Sequence, residues 1–329
     1  MKTNWEPKTG RRVQVEPATT NRMTEASAQR AAANYRSLLF IPGNRESMLE
    51  KASRSNPDAF VPDLEDSVPP EEKDNARALV AHHLPRLAAT GIPVVPRLNG
   101  VDSEHLPADI TAIVSEHIHG VSIGKIDSVS QIRWIDAELA RAEDARGLTN
   151  GVTRLVPWIE TAAAVLECRE ICLASGRVEA IAFGAEDLTL DMGIERTPEE
   201  SEVSVARALV CLAAAAARLP ALDTPFFEFR DSEALKRNSI SSKRQGFSGR
   251  FAIHPAQLET IVEVFSPSEE EIAEAQRILA AFDQAVSEGR GSTSLDGRVV
   301  DVPVAARARA LLRRAGLASG SGAVRGSQV

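Results

Sequence analysis

The amino-acid sequence predicts an α/β fold, a TIM (β/α)8 barrel carrying a C-terminal helical extension. Eight short apolar runs from Leu38 onward alternate with helix-periodic segments, the pattern of repeated βα units around a parallel sheet. Eight is the strand number that closes such a barrel, whose usual size of ~250 residues the chain can hold with extensions. The turn after the first run, Pro42-Gly43-Asn44-Arg45, lacks the G-x-G-x-x-G spacing that a doubly wound nucleotide-binding sheet would show there.

The strands are expected at Leu38 to Ile41, Ala59 to Pro62, Val94 to Leu98, Gly120 to Gly124, Arg154 to Ile159, Ala180 to Phe183, Ala221 to Asp223 and Phe247 to Ile253. Between them, Arg45 to Ser55, Asn75 to Leu87, Ser130 to Ala142, Ala162 to Ala174 and Val203 to Arg218 carry apolar residues at three-to-four spacing and read as helices. After the last strand, Ser268 can cap a helix running to Ser287, with Glu269, Glu270 and Glu271 at the positive end of its dipole. A Gly/Ser stretch at Gly289 to Ser294 then leads through Asp296-Gly297-Arg298 and Val299-Val300 to a basic helix ending near Arg314. The chain therefore divides into a flexible leader (1–35), a barrel (36–265), a helical extension (266–317) and a flexible tail (318–329).

Composition narrows the function. The 329 residues are 43% hydrophobic and 26% charged, ordinary usage for a chain that holds its core without disulfides. A net charge of −8 argues against sequence-independent binding to nucleic acid or to an anionic membrane surface, since each needs a basic face. Cys168, Cys172 and Cys211 have no disulfide or zinc spacing and are expected to be small buried helix residues. With no apolar run of membrane-spanning length and no signal-type segment near the start, the expected location is the cytoplasm. His82, His83, His105, His117 and His119 lack ligand spacing and are read as surface residues, while His254 is expected to make a structural hydrogen bond.

Catalytic groups of a TIM barrel project from the C-terminal ends of its strands. Here those ends read Asp63-Leu64-Glu65-Asp66, Arg97-Leu98-Asn99, Lys125-Ile126-Asp127, Glu160-Thr161 and Glu186-Asp187. Glu65, Asp66, Glu160 and Asp187 would converge with Arg97 on one mouth, where unpaired carboxylates raise one another's pKa. A divalent cation relieves that conflict, and oxygen donors without a Cys or His cluster suit Mg2+.

Several segments in order, Arg36-Ser37-Leu38-Leu39-Phe40-Ile41-Pro42-Gly43, Asp63-Leu64-Glu65-Asp66, Pro96-Arg97-Leu98-Asn99, Ile159-Glu160-Thr161-Ala162, Phe183-Gly184-Ala185-Glu186-Asp187-Leu188 and Ile253-His254-Pro255, resemble the citrate lyase beta-subunit-like family of the HpcH/HpaI aldolase group. Val264-Phe265-Ser266-Pro267-Ser268 and Asp296-Gly297-Arg298-Val299-Val300-Asp301-Val302-Pro303 extend the likeness. The resemblance implies a homotrimer of TIM barrels in which Glu160 and Asp187 hold Mg2+; Glu65 and Asp66 are expected to stand behind them toward metal-bound water, and Glu186 to join Glu160 at the substrate. It implies too that Arg97 grips the carboxylate of the keto-acid half, and that Asp301, carried by the extension, reaches a neighbouring subunit's site. Two departures bear on substrate choice: Val61-Pro62 precedes Asp63 where an aliphatic residue is usual, and Gly249-Arg250-Phe251-Ala252 stands where a Lys and a Cys are usual.

The activity so implied is Mg2+-dependent cleavage of a 3-hydroxyacyl-CoA thioester of the malyl- or citramalyl-CoA kind to acetyl-CoA and a 2-keto acid, pyruvate or glyoxylate. Arg36, Arg45 and Lys125 are candidates for the CoA phosphates. Two alternatives accompany it: the beta subunit of a citrate lyase, acting on citryl-acyl-carrier protein, and a barrel that binds acyl-CoA without turning it over.

Overall fold

In the computed structural model the described residues are 35–197 and 199–317, so the expected tail and all but the last residue of the expected leader lie outside them. Strands β1 (Ser37–Pro42), β2 (Ala59–Asp63), β3 (Arg97–Leu98), β4 (Gly120–Ile123), β5 (Arg154–Ile159), β6 (Ile181–Phe183), β7 (Ala221–Asp223) and β8 (Gly249–Ala252) pair in parallel in chain order, and β1 closes the barrel against β8. The expected fold is therefore the one found.

Strand alternation explains the two apolar layers. In β1, Leu38 and Phe40 point inward to Val61, Val95, Trp158, Ala182 and Phe251, whereas Leu39 and Ile41 point outward to the helices. The outer ring comprises α1 (Glu46–Ala52), α2 (Lys73–Ala88), α3 (Leu106–Ile113), α4 (Val129–Ala145), α5 (Ala162–Leu166), α6 (Cys168–Leu173), α7 (Ala185–Asp191), α8 (Ser204–Ala217), α9 (Ser232–Gln245) and α10 (Leu258–Phe265). The helix expected over Ala162 to Ala174 is broken at Glu167 into α5 and α6, and all three cysteines are buried and free, as expected.

One surface assignment is corrected. His83 shares the inner face of α2 with Ala76, Val80, Leu84 and Leu87, so the helical period carries its ring into the core, where it is 5% exposed and its Nε2 has no hydrogen-bond partner.

Beyond the barrel, α11 (Glu269–Ser287) starts in a capping box of Ser268 and Glu271. A hairpin of β9 (Thr293–Leu295) and β10 (Arg298–Val300) turns on Asp296 and Gly297, with φ of +49° and +76°, before α12 (Val302–Arg314) packs back on α11 through Ala275, Ala308 and Leu312. Among the described residues no helix is long and apolar enough to cross a membrane.

Arg250, on β8, is fully buried and paired with Asp223 at the end of β7. Arg207 of α8 lies 3.1 Å from the same carboxylate and 2.8 Å from Glu200. Breaking a buried pair leaves the remaining charge uncompensated, so Asp223→Ala is expected to destabilise the fold by about 3–5 kcal/mol. Urea unfolding followed by circular dichroism would read this as a lower midpoint; an unchanged midpoint would show that the two guanidinium groups are held by other partners.

Candidate active site

The register of β2 and β3 sets Asp63 opposite Arg97, and their side chains meet across the top of the barrel. Arg97 donates from Nε to Asp63 Oδ1 and from Nη2 to Asp63 Oδ2, both at 2.7 Å, a bidentate fork that Lys could not form. Its guanidinium rests over the Phe40 ring, 4.7 Å from the centroid, and Phe40 stacks in turn with Trp158 and Phe251. Nη1 donates to Asp66 at 2.8 Å and stands 3.1 Å from Glu65. Burial alone would raise the Asp63 carboxyl, but the Arg97 charge and hydrogen bonds hold it below the usual carboxylate range.

Asp63 stands among the strand ends read from the sequence, but no role at the mouth was expected of it. Its signal was the position one strand over from Arg97, which only the register reveals. Conversely, Arg97 is not an unpartnered arginine at the mouth, because three neighbouring acids already share its donors.

Glu160, at the end of β5, is 3% exposed. The cleft around it is kept open by glycine: a Cβ on Gly184 would lie 2.5 Å from Glu160 Oε2, and one on Gly124 would lie 2.7 Å from Glu160 Oε1 and 3.1 Å from both Glu65 oxygens. Lys125 takes the left-handed conformation, φ +58°, which aims its backbone N–H at Glu160 Oε1 at 2.6 Å. Burial, then Glu65 and Asp187, push the Glu160 carboxyl up to about 8. Burial also pushes Glu65 up to about 7, against the opposing pull of Arg97. Asp187, in the first turn of α7, is raised by burial and by Asp66.

The expected acids are thus brought together, and they outnumber the cations beside them. Glu65, Asp66, Glu160 and Asp187, with Asp63 spoken for by Arg97, face the Lys125 ammonium, which lies 3.3 Å from Glu65 and from Asp66. Among the described residues no three His, Cys, Asp or Glu side chains form a complete cage for an ion. One or two carboxylates with positions left for water and ligand oxygens is the manner in which Mg2+ is bound. Two cavities take part of their lining from these strand ends. One of 280 Å3 is lined by Glu65, Asp66, Asn99, Gly100 and Lys125, and a groove of 1330 Å3 runs from Glu186 past Phe226 and Phe227 to Arg237.

Other expected site residues fall elsewhere. Glu186 is exposed and bound by Arg196 at 2.6 Å, on the groove side. Arg36 precedes β1, at the end of the barrel opposite the mouth, where Asp58 accepts from its Nε and Nη2 and Ser266 from its Nη1. Contrary to expectation, Arg36 is therefore not a phosphate contact at the mouth. Arg45 follows β1 at the mouth, exposed and without an ion pair among the described residues. His254 makes the structural hydrogen bond, its Nδ1 accepting from Ala256 N at 3.1 Å. Asp301 caps α12, accepting from Val304 N at 3.1 Å with Pro303 in the first turn.

The family model described as HpcH/HpaI aldolase/citrate lyase matches residues 36–255. The chain is 35% identical over 280 residues to a citrate lyase subunit beta of Haemophilus influenzae, covering 85% of this chain and 96% of the relative. It is 31% identical over 300 residues to an L-malyl-CoA/beta-methylmalyl-CoA lyase of Rhodobacter capsulatus, covering 85% and 94%. Among solved structures it is similar to protein CitE of Mycobacterium tuberculosis in complex with magnesium, acetoacetate and coenzyme A, with a TM-score of 0.70, 28% identity and coverage of 85% and 97%.

Raised carboxylate pKa values have a definite sign in stability. Between the ordinary value of 4.5 and about 8, the folded protein holds protons on Glu160 that the unfolded chain has released. Stability without a cation is then fullest at the acid end and declines as pH rises through that window. A divalent cation needs the deprotonated carboxylate, so its stabilisation should grow with pH. Melting curves with and without MgCl2 at pH about 6 and about 8.5 should show the larger Mg2+-dependent rise at the higher pH. Equal rises at both would exclude Glu160 as the titrating ligand.

Proposed function

The chain belongs to the HpcH/HpaI aldolase/citrate lyase family and is a carbon–carbon lyase of the oxo-acid-lyase type, and we propose that it cleaves a 3-hydroxyacyl-CoA thioester, malyl- or citramalyl-CoA in kind, to acetyl-CoA and glyoxylate or pyruvate. The observation that carries this reading is the mouth itself, where Glu160 and Asp187 stand in surplus negative charge beside a buried guanidinium on an aromatic floor. The non-catalytic alternative drops out, since the named relatives are lyases.

Glu160 and Asp187 would hold Mg2+, their all-oxygen, partly open set being of the right kind for it. Bound there, Mg2+ would polarise a substrate hydroxyl and carboxylate and make the hydroxyl proton easier to remove. Arg97 orients the carboxylate of the keto-acid half, and the stacked rings beneath exclude water from that side. When a base takes the hydroxyl proton, the oxygen's electrons form the keto group. The broken C–C pair passes to the thioester as an enolate, which is protonated to acetyl-CoA. Arg45 would meet a phosphate of CoA, the ligand that the Mycobacterium tuberculosis relative holds, whereas the Lys125 ammonium is already paired with Glu65 and Asp66. A second reading, the beta subunit of citrate lyase acting on citryl-acyl-carrier protein, is favoured by the higher identity to the Haemophilus influenzae protein. Purified protein with Mg2+ and malyl-CoA, citramalyl-CoA, methylmalyl-CoA or citryl-CoA, scored for keto-acid release, separates the two. No product from any of these CoA thioesters would overturn the first reading, and none from citryl-acyl-carrier protein would overturn the second.

Arg97→Lys keeps the charge and loses the fork, so kcat/KM should fall by about 100-fold or more. An unchanged value would remove Arg97 from the substrate carboxylate.

The base is assigned to Asp301 of a neighbouring copy in a homotrimer, because in its own chain this residue lies beyond the barrel, on the extension; the rival role is the cap that it forms on α12. Glu160→Gln and Asp301→Asn should each be inactive. Mixing the two should restore partial activity, since some sites then take Glu160 from one chain and Asp301 from another. No recovery despite demonstrated subunit exchange would leave Asp301 a cap only.

A further inference from the structure

Arg97 presents its three nitrogens to partners of unequal permanence. Nε and Nη2 are committed to Asp63, whose side chain is 2% exposed and whose oxygens also accept from Glu65 N at 3.0 Å and Ser67 N at 3.2 Å. That pair lies between register partners of adjacent strands and has nowhere to go. Nη1 is the remaining donor. One of its neighbours, Glu65, has a side chain only 6% exposed and both oxygens against the space over Gly124. The other, Asp66, has a side chain 48% exposed on the turn after β2.

The two oxygens of Asp66 are divided between two cations, Oδ2 at 2.8 Å from Arg97 Nη1 and Oδ1 at 3.3 Å from Lys125 Nζ. A carboxylate bridging an arginine and a lysine at an open mouth occupies the arrangement that a ligand carboxylate would need there. We propose that Asp66 is a displaceable stand-in for the substrate carboxylate, which binds by exchanging with it on Arg97.

This inference rests on Arg97 being the substrate clamp and adds how the clamp selects. Asp66 is half exposed and can turn out to water, so a side-chain rotation at Asp66 is enough to open the place. Only an incoming anion restores what that rotation breaks. A neutral group would leave the Arg97 and Lys125 donors less well satisfied than Asp66 does, and the resting ion pairs would oppose it. Asp66 thereby biases the mouth toward thioesters whose hydroxyl carbon also bears a carboxylate. It acts through Arg97 and Lys125, as a positioning and specificity residue.

Calorimetric titration of the full chain with pyruvate, at saturating Mg2+, tests the exchange. Asp66→Asn and Asp66→Ala should each bind pyruvate about 3- to 10-fold more tightly than the unchanged protein, the direction opposite to that of structural damage. The same substitutions in an Arg97→Lys background should give no such gain, because there is then no Nη1 for the two carboxylates to contest. A gain that persists without Arg97 would mean simple charge repulsion and overturn the exchange. So would pyruvate binding no tighter in either Asp66 variant while Arg97→Lys still weakens it, an outcome that leaves the clamp standing. Pyruvate binding indifferent to Arg97→Lys would remove the clamp and the stand-in together.

Discussion

Two parallel hydrogen bonds of 2.7 Å tie the Arg97 guanidinium to Asp63 across neighbouring strands, above the stacked rings of Phe40, Trp158 and Phe251. Neither group would be tolerable there alone, since an unpaired charge at that depth costs several kcal/mol. Together they become a fixed feature of the barrel top, and the rest of the mouth is arranged around it. The rings give the guanidinium a flat apolar support, and Ser122 accepts from Trp158 Nε1 at 2.6 Å, so the support itself is held.

Because Asp63 neutralises Arg97, the acids above are left with less cation than they need. Glu160 shows the consequence most plainly. Its carboxylate has a backbone N–H from Lys125 and bare glycine on two sides, yet its proton is held far more tightly than that of an ordinary glutamate. The left-handed backbone at Lys125 costs of order 1 kcal/mol or more for a non-glycine residue. That conformation serves to place one donor on Glu160 while the side chain reaches the other way, to Glu65 and Asp66. A single residue is thereby split among three carboxylates, and none is fully neutralised.

The barrel was legible because its strands are near-continuous apolar runs ended by polar residues, a pattern that parallel strands buried on both faces must show. What was hidden has specific causes. α9 buries Leu235, Ser239 and Ser242, and two of those three are serines, so no apolar period marks it. Its serines face Arg250, whose Nη1 donates to Ser239 at 2.9 Å, a relation between distant residues that no local pattern encodes. The hairpin at Asp296-Gly297 did carry a turn signal, but flanking strands of three residues are too short to show alternation. At the site, strand ends located Glu65, Asp66, Arg97, Glu160 and Asp187, whereas the partner of Arg97 and the two glycines around Glu160 depend on register and close approach. Arg36 misled because a basic residue beside a strand reads alike at either end of it.

The same barrel contains a second concentration of buried charge, and the contrast indicates what makes the first one a site. Around β7 and β8, Arg196, Arg207 and Arg250 meet Glu186, Glu200 and Asp223, three cations against three anions, with Asn238, Ser239 and Ser242 supplying further hydrogen bonds. Charge balances there, Arg250 and Asp223 are wholly out of contact with solvent, and a cation added to that cluster would find no unpaired anion. Around β2 to β6 the balance fails in one direction, and the excess lies toward an opening. Burying charge is common to both clusters and therefore explains neither function nor its absence. An uncompensated excess of one sign, kept open by glycine and bordered by a half-exposed carboxylate, is what gives the mouth around Glu160 something left to bind.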